Sequence, residues 1–165
     1  MRFNAHDYEM IGLRSSVQKA TPEKNNTVVL ETLLAAGCAN ALGGAAVARL
    51  QGSAGADFHR DLRTDGDLII RKGFRPLIDS YSGFFENDQK TPTGLDGYLR
   101  SRGVSELTFV GLATDFCVAF SALDAVKLGF KVHVDLTACR GIDLEGSLEK
   151  ALTEMQTAGV QLQQV

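Results

Sequence analysis

The sequence predicts an α/β protein built on a doubly wound parallel sheet with helices on both faces. Three observations predict it. Short apolar, β-branched runs alternate with helix-length apolar runs from residue 67 to the end of the chain. Strands separated by helical crossovers pair in parallel, and a parallel sheet must be covered on both sides. Finally, 165 residues, 44% of them hydrophobic and with no internal repeat, match a single domain able to bury a real core.

The N-terminal third is the least regular part. Met1 to Asn26 is polar, with one proline and few aliphatic residues, and reads as loosely ordered. Thr27-Val28-Val29-Leu30-Glu31-Thr32-Leu33-Leu34 suits either a strand or the first turns of a helix. Ala35 to Leu50 is rich in small residues, and Gly37, Gly43 and Gly44 break any regular period. Glu31, Asn40 and Arg49 interrupt the apolar stretch, which argues against a transmembrane helix. No charged segment precedes it at the spacing of a secretory signal.

From there the alternation is clear. A buried strand is predicted over 67–71, ending at Lys72-Gly73. Asp79 to Phe85 is an aromatic loop able to cover a flat ring, and Lys90 to Leu95 is a turn leading into a helix over 94–102. A strand over 106–111 runs into a helix over 116–128 that closes on Gly129, a favourable residue just past a helix end. A strand over 130–136, a helix over 145–157 and a strand over 159–163 complete the series. That last helix puts Leu148, Ala151, Leu152 and Met155 on one face, an ordinary packing stripe. Right-handed crossovers bring Lys72 and Cys117 to one edge of the sheet.

The chemistry concentrates at the junction Gly111-Leu112-Ala113-Thr114-Asp115-Phe116-Cys117-Val118. Thr114 and Asp115 are N-cap candidates, and Cys117 falls in the first helical turn. Unpaired N–H groups and the macrodipole favour a thiolate there. A buried small hydrophobe is the competing role for Cys117. Lys72, at a strand end, points to a crevice group or to a solvated lysine. Phe84 and Phe85 are better read as core than as ring-binding residues.

The ordered runs RKGF, DSYSGFF, KTPTGLDGYLRSRG, GLATDFCV, ALDAVKLGFKV and ACRGIDLEGSL resemble the nicotinamidase (pyrazinamidase) branch of the isochorismatase-like cysteine hydrolases. The resemblance spans residues 51 to 163 and implies the isochorismatase-like fold. It implies that Cys117 attacks the carboxamide of nicotinamide, expels ammonia and forms a thioester that water hydrolyses to nicotinate. It further implies Lys72 as the catalytic lysine, and a cis peptide between Leu112 and Ala113. The N–H groups of Ala113 and Cys117 would form the oxyanion hole, and Tyr81, Leu112 and Phe116 would line the substrate pocket. A carboxamide is a poor electrophile, so a soft nucleophile and two fixed donors suit the reaction. Arg140 to Asp143 resembles a loop of the family and is assigned a structural role.

Residues 1–50 depart from the family. Its members open with an apolar strand ending in an aspartate that shuttles protons, and carry histidines and an aspartate that hold a divalent metal such as zinc, iron or manganese. Here Asp7 lacks an apolar strand, tryptophan is absent, and the histidines are His6, His59 and His133 alone. No intact metal site, and hence no cofactor, is expected in this chain. His133 alternates with Val132 and Val134 and reads as a packed or edge residue. The likeness begins abruptly at Gln51, as though the preceding segment came from another reading frame or a fused gene. The expected organisation is an atypical segment, 1–50, followed by the hydrolase domain, 51–165.

A net charge of −3 and a pI near 5.6 argue against nucleic-acid or anionic-membrane partners. Three cysteines without paired spacing suit a reducing cytoplasm. The expected partner is a small, nicotinamide-like amide, with homo-oligomerisation left open. Two outcomes are expected of the missing aspartate: an impaired amidohydrolase of NAD salvage, or an inactive relative that at most binds a ring amide. Isochorismatases proper need no nucleophilic cysteine, so GLATDFCV argues against that subgroup.

Overall fold

The computed structural model describes residues 27–32 by their backbone, then 68, 70, 72–73 and 78–164. Strand β1 is Thr27–Thr32, helix α1 Leu95–Ser101, β2 Glu106–Leu112, α2 Ala119–Lys127, β3 Lys131–Arg140, α3 Ser147–Thr157 and β4 Gln161–Gln163. A π-helical turn, Thr114–Val118, joins β2 to α2. The four strands form one parallel sheet in the order β1-β2-β3-β4. Successive crossovers of the same hand and direction put α2 and α3 on one face, where they pack together.

The ambiguous stretch from Thr27 resolves as a strand. It pairs with β2 from Thr27 opposite Glu106 to Thr32 opposite Gly111. The sheet edge that a missing first strand would expose is therefore covered along all of that register. Most of the strand expected over 67–71 lies outside the described residues, as do Asp7, His6, His59 and Cys38.

The other elements follow their apolar periods. Leu107 and Phe109 of β2 are buried with Val132 and Val134 of β3, and Ala151 and Met155 of α3 cover them. Ala119, Ala122 and Ala125 give α2 a narrow buried face that approaches the sheet closely. Each large side chain so buried contributes about 1.5–3 kcal/mol. Phe84 lies in this core and Phe85 packs against it, as their sequence context suggested. Gly129 follows α2 with a φ of 88°.

One strand is longer than its sequence predicts. β3 continues past 136 to Arg140, and between two pairings it advances from Val134 to Cys139 while β2 advances only from Phe109 to Gly111. Asp135 stabilises the looped-out residues, accepting from the Thr137 N–H at 3.0 Å and its hydroxyl at 2.6 Å. A side chain that satisfies the backbone locally replaces the missing ladder bonds. The bulge is what re-registers Cys139 and Arg140 against the end of β2.

At the opposite end of the sheet, His133 is held by Glu106 at 2.6 Å, and Lys131 bridges the same carboxylate at 3.0 Å. The Lys131 ammonium, aided by His133, keeps the Glu106 carboxyl below its ordinary range despite opposing desolvation. No helix of the described residues is long and apolar enough to cross a membrane.

Candidate active site

The end of β2 sets the geometry. The Leu112–Ala113 peptide is cis, as the resemblance implied. Beyond it the N–H groups of Phe116 and Val118 both donate to the Ala113 carbonyl at 3.1 Å, which closes the π-helical turn around Cys117. Thr114 and Asp115 do not cap this helix. The N-cap position belongs to Ala113, and no side chain makes a capping bond. The turn begins earlier than a helix over 116–128 requires, and the Asp115 carboxylate faces other donors.

Lys72 and Cys117 meet. The Nζ of Lys72 is 3.5 Å from the Sγ of Cys117 and donates to the Ser80 carbonyl at 2.5 Å. Both residues are buried, Cys117 completely. An ammonium held beside a sulfur in a dry site favours the thiolate through direct charge attraction. The lysine is thus not a solvated strand end.

Further residues hold this pair in place, and the sequence did not single them out. Glu86 is buried, and its two carboxylate oxygens accept from the Gly73 N–H at 3.0 and 3.3 Å, next to Lys72. Gly73 has a φ of 76°, a conformation that glycine adopts without a Cβ penalty. Ser121 accepts from the Gly83 N–H at 2.8 Å and donates to the Cys117 carbonyl at 2.6 Å. One hydroxyl therefore ties the aromatic loop to the nucleophile turn. Its sequence signal was only its place one helical turn after the cysteine.

Tyr81 and Phe116 are also together. Their ring centroids lie 5.7 Å apart, and Phe120 stands 5.1 Å from Tyr81. Phe116 and Phe120 are four residues apart on the same helical path, so both rings face the loop. Tyr81, Phe116 and Leu112 are half-buried, and Ala113 is buried. Phe120 completes the ring cluster and was missed because a half-exposed aromatic carries no motif.

The two described cysteines differ in kind. Burial pushes the Cys139 thiol up to about 11, so it stays protonated and unreactive at neutral pH. Among the described residues no three His, Cys, Asp or Glu side chains converge to hold a metal ion. His133, the one described histidine, is engaged by Glu106 and lies within 3.4 Å of the Gln163 amide.

The sequence profile of the isochorismatase domain matches residues 17–165. The chain is 52% identical over 114 residues to the nicotinamidase of Acinetobacter baylyi, covering 68% of this chain and 53% of that protein. It is 43% identical over 115 residues to the nicotinamidase of Escherichia coli, covering 68% and 54%. The chain thus spans about half the length of the curated relatives it matches. Among solved structures, a nicotinamidase/pyrazinamidase of Acinetobacter baumanii superposes with a TM-score of 0.67 at 57% identity, covering 69% of this chain and 56% of that one. PnC1 of L. infantum, in complex with nicotinate, gives a TM-score of 0.67 at 34% identity over 85% of this chain and 71% of that one.

Proposed function

Because the chain belongs to the isochorismatase domain family, in its nicotinamidase branch, we propose that it is a nicotinamidase-type cysteine amidohydrolase with impaired turnover. The observation that carries this reading is the 3.5 Å contact between Lys72 Nζ and Cys117 Sγ in a buried site. The relative from L. infantum, solved with nicotinate, supports a flat pyridine ligand. The Tyr81–Phe116–Phe120 cluster offers a ring-sized aromatic wall for one.

In this mechanism the Cys117 thiolate attacks the carboxamide carbon of nicotinamide. The N–H groups of Ala113 and Cys117 stabilise the tetrahedral oxyanion. Collapse breaks the C–N bond and releases ammonia once the nitrogen has gained a proton from solvent water, leaving a thioester. Water then breaks the C–S bond, giving nicotinate and the free thiol. Lys72 holds the sulfur as thiolate, and Leu112, Phe116 and Tyr81 fix the ring. The hydrolase domain takes in residues 51–165 together with strand β1 of its sheet, and its proposed setting is NAD salvage in the cytoplasm.

Proton transfer is the weak step. The family aspartate has no counterpart in sequence context here, and loss of a general acid/base costs a factor of about 10² to 10⁴. The test is ammonia release from nicotinamide by the purified chain and its Cys117→Ala variant, each with and without added divalent metal. Slow turnover that disappears in Cys117→Ala supports the reading. Turnover persisting in that variant overturns the mechanism. A folded chain without any turnover, yet binding nicotinamide, would identify a relative that keeps the pocket and has lost the reaction.

A further inference from the structure

We propose that Asp115 is a positioning residue: it fastens the nucleophile turn to the loop after β3 and to the start of α3, and so keeps Cys117 Sγ beside Lys72. Asp115 is buried, and its carboxylate meets three donors. Oδ1 accepts from the Ile142 N–H at 3.0 Å, and Oδ2 accepts from the Asp143 N–H at 2.8 Å and the Ser147 hydroxyl at 2.5 Å. A carboxylate offers acceptors on both of its oxygens. An asparagine would turn an NH₂ group toward at least one of these donors.

The loop that Asp115 grips does not hold itself in its lowest-energy backbone. Asp143 and Glu145 have φ values of 54° and 53°, in the left-handed region. Such residues persist where the surroundings over-determine them. The surroundings here are Asp115 and a relay through Ser147, whose hydroxyl also accepts from the Leu144 N–H at 2.8 Å. Asp143 in turn accepts from the Leu148 N–H at 3.3 Å. Loop, helix start and nucleophile turn therefore form one hydrogen-bonded unit.

Asp115 precedes Cys117 by two residues inside a five-residue turn. The Ala113 carbonyl closes that turn from one end. A shift of Asp115 would be passed on to Cys117, and the sulfur–ammonium contact at 3.5 Å has little slack. Misplacement by about 1 Å is enough to cost a reacting pair its advantage.

A purely electrostatic role for Asp115 makes the opposite prediction. A negative charge near the sulfur opposes the thiolate, so removing it would help ionisation. A positioning role predicts that removing it hinders ionisation, because the sulfur leaves its ammonium. The sign therefore separates the two.

The experiment follows alkylation of Cys117 by iodoacetamide against pH, read by mass spectrometry of its peptide. It compares the parental chain, Asp115→Asn and Ser147→Ala, with thermal melts as the fold control. The inference rests on the preceding reading only in taking Cys117 as the reacting atom, and alkylation reports on the thiol whether or not nicotinamide turns over. Asp115→Asn is expected to slow alkylation at neutral pH on the order of tenfold and to move the midpoint upward. Ser147→Ala should shift it in the same direction by less. A midpoint that falls or stays put in folded Asp115→Asn overturns the proposal. Should Asp115→Asn fail to fold, Ser147→Ala decides alone: an upward shift supports it, and a parental profile overturns it.

Discussion

Replacing Lys72 by methionine removes the charge beside the nucleophile and keeps a stem of similar length in the same buried space. Two unit charges at the observed 3.5 Å attract by about 5 kcal/mol at an effective dielectric of ~20. That figure is gross, because the ammonium loses hydration when buried and gains it back only partly from the Ser80 carbonyl. Opposite charges at such range typically move a partner by about one to three pH units, or roughly 1.4–4 kcal/mol. The midpoint of Cys117 alkylation in Lys72→Met should therefore rise by that amount. Nicotinamide turnover, where present, should fall with the thiolate fraction at neutral pH. The assay is the pH profile of iodoacetamide labelling at Cys117, with a thermal melt showing that the variant still folds. A folded variant with the parental midpoint would refute the reasoning, since the ammonium would then contribute nothing to the state of the sulfur.

Two other perturbations test the supporting structure. Glu86→Ala leaves the Gly73 N–H without its buried acceptor and should lower unfolding free energy by about 1–3 kcal/mol in urea titrations. A parental stability would mean that the Lys72–Gly73 turn is held elsewhere. Cys139 bears on alkaline stability: burial raises its thiol from 9.0 to about 11 in the folded chain. A raised folded value gives stability that is complete below pH 9.0 and is lost as pH rises towards 11. The loss amounts to about 2–3 kcal/mol. Cys139→Ala should flatten stability against pH across that window relative to the parental chain, and equal slopes would refute the assignment.

Much of this arrangement was legible because local patterns and tertiary packing agree. Alternation of apolar residues marked β2, and the Gly111-to-Val118 run marked a nucleophile junction before any partner was known. Lys72 lies 45 residues away, and its meeting with Cys117 matches the sheet edge at which the sequence pattern predicts both. The illegible parts are those where a polar side chain chooses among backbone partners. Asp115 reads as an N-cap in sequence because it precedes a helix, yet the donors it meets come from residues 142, 143 and 147. Asp135 and Thr137 read as the end of a strand, yet their mutual bonds let β3 loop out and continue. Thr27 to Thr32 suited two secondary structures, and only pairing with β2 selects the strand.

That pairing bears on how the proposed site is held together. β2 delivers Cys117, and it is paired along one side by β1 from Glu106 to Gly111 and along the other by β3 as far as Leu112. A strand bonded on both sides cannot slip without breaking two ladders, so the junction at its carboxyl end is fixed by the sheet. The nucleophile turn is then secured from three further directions: Lys72 at its sulfur, Ser121 at the Cys117 carbonyl and the loop donors at Asp115. None of these contacts depends on the carboxylate that the family uses to carry protons. The scaffold and the proton relay are therefore separable in this fold. Strand β1, paired with β2 from Thr27 to Thr32, supports that scaffold whatever group carries the proton.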